Sequence, residues 1–124
     1  MYLKSILLTN FNIKNFTGSE MDTITIAKYY LSLGYSVDIL TLEKGSPLLD
    51  IVDKDICVYT ISESSNLKKY YDLVWSHHYP LLDYLLFALK IKGEKIVFVS
   101  LSSFLSYECL PEYYKMLSIV GAMS

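Results

Sequence analysis

The chain has no arginine; all 11 of its basic residues are lysine. That removes the side chain best suited to bidentate clamping of phosphate or carboxylate groups. A net charge of −2 gives no bulk attraction to nucleic acid, so a nucleic-acid partner is not expected. Only two cysteines occur, Cys57 and Cys109, too few for a disulfide framework. With no secretory leader, since the run Ser5–Thr9 is too brief to be one, this points to a cytoplasmic chain with reduced thiols. Long apolar runs are missing too. The longest, Leu81 to Leu89, is broken by Asp83 and is too short to span a bilayer. His77 and His78 are the only histidines, and no cysteine or carboxylate beside them completes a metal-ligand set, so no metal is expected. Neither GxGxxG nor GxxxxGK[ST] nor GxSxG occurs, which excludes dinucleotide fingerprints, P-loop chemistry and the hydrolase nucleophile elbow.

What is present is a chain of 124 residues, the length of one domain, with 52% hydrophobic residues and therefore a sizeable core. Short apolar runs alternate with longer amphipathic ones. Leu3 to Thr9 predicts a buried strand, followed by a polar loop from Asn10 to Gly18. Ser19 predicts a helix N-cap, with Glu20 at the positive end of the dipole and Asp22 at N3 of an imperfect capping box. Met21, Ile24, Ala27 and Leu31 then recur on one helical face, flanked by Ile26, Tyr30 and Leu33, and Gly34 suits the C′ position. Tyr35 to Leu42 alternates as a second strand, so the first 42 residues read as one right-handed βαβ unit.

Further strands are predicted at Ile56–Ile61, Asp72–Ser76, Lys95–Val99 and Ser118–Ala122. Between them lie a loop or weak helix over Glu43–Asp55, a turn over Ser62–Asn66 and a short helix over Leu67–Tyr71. Pro80 at N1 opens a helix to about Ile91 with Gly93 as its stop, and Pro111 opens one to about Leu117. The sum is an α/β fold, a Rossmann-like, doubly wound and mainly parallel sheet in a single domain over residues 1–124. The last strand starts just before Ser124, so the domain reads as truncated at its C-terminal end.

In such a sheet, ligands bind beyond the carboxyl ends of the strands. Three segments fall there: Asn10–Glu20, Ser76–Tyr79 and Ser100–Ser106. The candidates are backbone N–H groups at Gly18 and Ser19, an imidazole from His77 or His78 able to act as base or donor, and the Ser100 hydroxyl. An ordinary capped helix and a polar loop pair explain the same residues without chemistry. Cys57, inside an apolar strand, reads as inert core. The tyrosine pairs Tyr29-Tyr30, Tyr70-Tyr71 and Tyr113-Tyr114 are read as helical, one ring inward and one outward. Tyrosine with lysine also permits peripheral membrane contact, although no basic run supports it.

Thr17-Gly18-Ser19-Glu20 after a first strand, Leu31-Ser32-Leu33-Gly34-Tyr35-Ser36-Val37 at the end of the helix, and Asp72-Leu73-Val74-Trp75-Ser76-His77 resemble the amino-terminal half of GT-B glycosyltransferases of family 4. There the corresponding patterns are Gly-Gly-x-Glu, Leu-x-x-x-Gly-His-x-Val and Asp-Val-Ile-His-Ala-His. Leu117 to Ser124 resembles the strand preceding that family's Ser-Glu segment. Thr17 replaces the first glycine, Tyr35 the common histidine, and no histidine stands between Lys95 and Ser106. The resemblance implies an acceptor-side domain of a hexosyltransferase-type enzyme in polysaccharide biosynthesis. His77 would be its catalytic residue, and Gly18, Ser19, His78 and Ser100 would bind substrate. The donor would be a nucleotide sugar held by a carboxyl-terminal domain of the same parent chain, the acceptor a glycan, lipid-linked or protein acceptor. No cofactor belongs to this chain, and the fragment alone would be inactive. The alternative is a non-catalytic doubly wound interaction or regulatory module.

Overall fold

The computed structural model of the chain describes residues 4–77, 79–100 and 119–122, with side chains for 4–77 and 81–98. Six strands pair in parallel: β1 (Ser5–Ile13), β2 (Ser36–Lys44), β3 (Ile56–Thr60), β4 (Tyr70–Ser76), β5 (Lys92–Ser100) and β6 (Ile119–Ala122). Their order in the sheet is β3-β2-β1-β4-β5-β6. The chain winds one way from β1 to β3 and the other way from β4 to β6, which puts the switch point between β1 and β4. Helix α1 (Gly18–Ser32) joins β1 to β2, and helix α2 (Tyr79–Asp83) continues as a π-helical turn (Tyr84–Ala88) ahead of β5. This is an α/β fold consistent with a Rossmann-like arrangement.

Strand alternation divides the core in two. Ile6 and Leu8 of β1, Val37 and Ile39 of β2 and Ile56 and Val58 of β3 pack with Ile24 and Ala27 of α1. Leu7, Leu40, Val74, Ile96 and Phe98 point to the other face, where Leu82 and Leu85 cover them. The helical face predicted for α1 is the buried one, except that Leu33 remains 54% exposed. Gly34 is the C′ residue, at φ +92°. Its N–H donates to Leu31 O and that of Tyr35 to Tyr30 O, which satisfies two orphan carbonyls of the helix end. The rings of Tyr30 and Tyr35 meet edge to face at 4.9 Å.

Several boundaries differ from the sequence reading. β1 does not stop at Thr9: Asn12 and Ile13 stay paired with Glu43 and Lys44, so the first four residues of the expected polar loop are strand. Ile13 is fully buried, which holds this extension to the core. The N-cap of α1 is Thr17, not Ser19, and Glu20 rather than Asp22 stands at N3. The short helix expected over Leu67–Tyr71 lies earlier, as a 3-10 turn at Ile61–Asn66, and Tyr70-Tyr71 belongs to β4. Thr60 and Glu63 form a capping box at its start, and this Thr-x-x-Glu spacing fixes where the turn begins. Gly93 stops no helix; it sits inside β5 opposite Tyr71, where a Cβ would lie 2.7 Å from Cγ2 of Val74. Cys57 is exposed, because on β3, an edge strand, Ile56 and Val58 take the inward positions. The predicted helix after Pro111 and the Tyr113-Tyr114 pair lie outside the described residues.

Candidate functional site

The carboxyl ends of β1 and β4 meet the first turn of α1 in a cluster of polar side chains. Thr9 and Ser76 stand opposite each other in register, and their hydroxyls are 2.8 Å apart. One residue further on, Asn10 turns its amide toward α1. Its Nδ2 donates to Ser19 O and to Thr23 Oγ1, both at 2.9 Å. Thr23 Oγ1 in turn donates to Ser19 O at 3.0 Å. Thr23 interrupts the apolar face of the helix so that strand and helix are joined by hydrogen bonds there rather than by packing alone.

His77 follows Ser76 and is only 2% exposed. Its Nδ1 lies 3.1 Å from Thr9 O and 3.4 Å from Thr23 Oγ1. A main-chain carbonyl can only accept, so Nδ1 carries the proton, and in the neutral ring Nε2 carries the lone pair. Burial pushes the His77 pKa down; the Thr9 carbonyl and the charge of Asp22 oppose this without cancelling it. The ring is therefore neutral at pH 7, held with Nδ1 on the protein. In that state it can take a proton or a hydroxyl hydrogen bond only through Nε2.

The loop leading into α1 is organised by Glu20, which is 4% exposed. Oε2 accepts from the N–H groups of Lys14 and Asn15, at 2.7 and 2.6 Å, and Oε1 from the hydroxyl of Thr17 at 2.7 Å. Gly18 is exposed at the first helical position, with no heavy atom within 4 Å of where a Cβ would stand. Nothing in the local backbone requires glycine there. Ser19 contributes its carbonyl to the cluster, not a cap.

Of the expected site residues, then, the structure links His77 to the Ser19 carbonyl through Thr23, and leaves Gly18 exposed outside the cluster. Ser100 ends β5, paired with Ala122, and its side chain lies outside the described residues, as does His78. Sequence reading placed Asn10 and Ser76 in segments at the ligand edge without giving them a role, and it missed Thr23, whose only signal is a polar residue beside the apolar face of α1. Among the described residues no group of three or more histidine, cysteine, aspartate or glutamate side chains could hold a metal. Nor is any helix among them long and apolar enough to cross a membrane.

A cavity of about 400 Å³ lies elsewhere, lined by Tyr30 of α1 and Tyr35 beyond it, Asp72, Leu73 and Trp75 of β4, and Lys95 of β5. It lies toward the amino ends of β1, β2 and β4, where Lys4, Tyr35 and Asp72 line it, whereas the polar cluster lies further along the strands. Trp75 Nε1 is buried without a hydrogen-bond partner. Comparison with protein-family models, curated proteins and solved structures gave no match.

Proposed function

We propose that the chain is the acceptor-side domain of a GT-B glycosyltransferase, one that transfers a sugar from a nucleotide-sugar donor to a glycan, lipid-linked or protein acceptor. The observation that carries this reading is the joining of His77 to Thr9 of β1 and Thr23 of α1 at the switch point of a parallel sheet. A neutral imidazole with Nδ1 fastened and Nε2 bearing the lone pair suits an acceptor hydroxyl as hydrogen-bond partner or base. Gly18 and Ser19 would lie along the same edge, with His78 and Ser100 as neighbours. The donor would be held by a carboxyl-terminal domain, and catalysis would need both halves.

The test is sugar transfer from nucleotide-sugar donors by the parent protein that contains this domain, with His77→Ala alongside. Transfer should fall about 100-fold or more in the variant, as for a lost acid–base or positioning group. Unchanged transfer by the variant removes His77 from the site.

The second reading, a non-catalytic interaction module, is favoured by one observation. Thr9, Asn10, Thr23, Ser76 and His77 are all buried, none more than 2% exposed, as in a structural network that fastens strand to helix. Failure of the parent protein to bind any nucleotide sugar would leave this reading in front.

A further inference from the structure

The turn from Lys14 to Thr17 wraps around a carboxylate supplied by the helix it leads into. Two consecutive main-chain N–H groups, those of Lys14 and Asn15, converge on one oxygen of Glu20, and the Thr17 hydroxyl donates to the other. Successive N–H groups aimed at one point make an anion-binding concavity. This one adjoins the first turn of a 15-residue helix, whose unpaired N–H groups add positive potential. In open parallel sheets the turn after the first strand is where a ligand phosphate is commonly held. Here the chain's own carboxylate takes that position. Burial alone would raise the Glu20 pKa, yet the bonds from Lys14, Asn15 and Thr17 more than offset it and hold the carboxyl below the ordinary range. The cation of the turn is engaged as well, since Lys14 Nζ pairs with Glu43 at 2.7 Å.

We infer that Glu20 is a built-in anion that fills the phosphate position of the first β–α turn. The turn is thereby closed to an external phosphate, and a ligand group lying over it cannot be anionic. The statement about the turn stands on these bonds alone; its bearing on substrate rests on the acceptor-side reading above. For such a domain it implies that the donor diphosphate is held outside this turn and that the acceptor meets it with hydroxyl groups. Glu20 is in this sense a specificity-determining residue that needs no contact with the reacting atoms.

The experiment is an amide-resolved NMR titration of the chain with inorganic phosphate at pH 7, in wild type and in Glu20→Ala. The wild-type Lys14 and Asn15 amides should show no saturable response. In Glu20→Ala the emptied concavity should bind phosphate at least about tenfold more tightly, with the two amides shifting together. Equal responses in the two proteins, or a folded variant whose Lys14 and Asn15 amides ignore phosphate, overturn the inference. Should Glu20→Ala fail to fold, an acid titration of wild type decides. Both amides must then move with one midpoint below the ordinary glutamate value of about 4.3. Separate midpoints, or one at or above that value, refute the inference. None of these readouts involves sugar transfer, so loss of the acceptor-side reading would leave them unaffected.

Discussion

Nδ1 of His77 lies 3.1 Å from the main-chain oxygen of Thr9, so a side chain leaving β4 is fastened to the backbone of the strand beside it. The two residues are 68 apart in sequence, and the bond holds the switch point of the sheet together. Because burial lowers the His77 pKa, the unfolded chain takes up this proton before the folded one does. The associated stability is whole above the unfolded value of about 6.5 and is lost as pH falls from there through the folded value. Urea unfolding at pH 7 and pH 5 should therefore show a drop in midpoint that is smaller in His77→Gln. An identical drop in both proteins would assign the acid sensitivity to other groups.

Gly93 should resist substitution. Its place in β5 is opposite Tyr71, and a Cβ there would press to 2.7 Å against the fully buried Val74. A valine side chain is stiff at χ1 and has no flexible end to swing away. Gly93→Ala should cost about 1–3 kcal/mol, the range for overpacking. Val74→Ala opens a cavity when made alone but removes the clash when combined. The double variant should thus be more stable than the sum of the two single losses predicts, and simple additivity would refute the contact.

The contrast between Gly34 and Gly93 shows what was legible in the sequence. Gly34 ends an amphipathic period, and both its left-handed φ and its carbonyl partners lie within five residues. Local pattern is enough for that. Gly93 also follows an apolar period, but its reason for being glycine is a side chain 19 positions earlier on a neighbouring strand, which no local pattern carries. The same distinction separates the strands, which short apolar runs and, for β2, alternation predicted, from the end of β1. There Asn10 and Asn12 look like loop residues, and only pairing with β2 makes them strand. At the carboxyl edge, His77 could be nominated from its place after a strand. Its partner Thr23, and Asn10 bonded to Thr23 in turn, could not, because their roles depend on how α1 docks.

Cys57 should behave as an exposed thiol despite its apolar sequence surroundings. Β-strand alternation on β3 gives the inner positions to Ile56 and Val58 and turns Cys57 outward. Under native conditions it should react with a thiol reagent at a rate close to that in denaturant, and Cys57→Ser should leave the unfolding midpoint within about 0.5 kcal/mol of wild type. Protection in the folded protein would refute this exposure. Cys57→Ala, which leaves no hydrogen-bonding side chain, has a second readout at Tyr59, whose pKa is pushed up to about 12, first by its hydrogen bond with Cys57 and then by burial. Removing the thiol should bring the Tyr59 ultraviolet titration back toward its ordinary value.

Tyr71 and Asp38 join β4 to β2 across β1. The phenol donates to Asp38 Oδ2 at 2.6 Å and accepts the N–H of Lys68 at 3.1 Å, with the ring fully buried and Asp38 only 6% exposed. Tyr71→Phe keeps the ring but leaves a buried carboxylate without this donor and the Lys68 amide without its acceptor. The expected cost is about 1–3 kcal/mol, more than the net worth of one hydrogen bond, because the abandoned groups stay desolvated. Burial, then the Asp38 carboxylate, holds the Tyr71 pKa above its ordinary value. The unfolded chain therefore ionises first as pH rises past about 10, and the stability from this bond is present below that pH and lost above it. Tyr71→Phe should be less stable than wild type at pH 8, and the gap should narrow by pH 11. A gap that stays constant across that range would mean that the bond to Asp38 contributes nothing to the alkaline sensitivity of the fold.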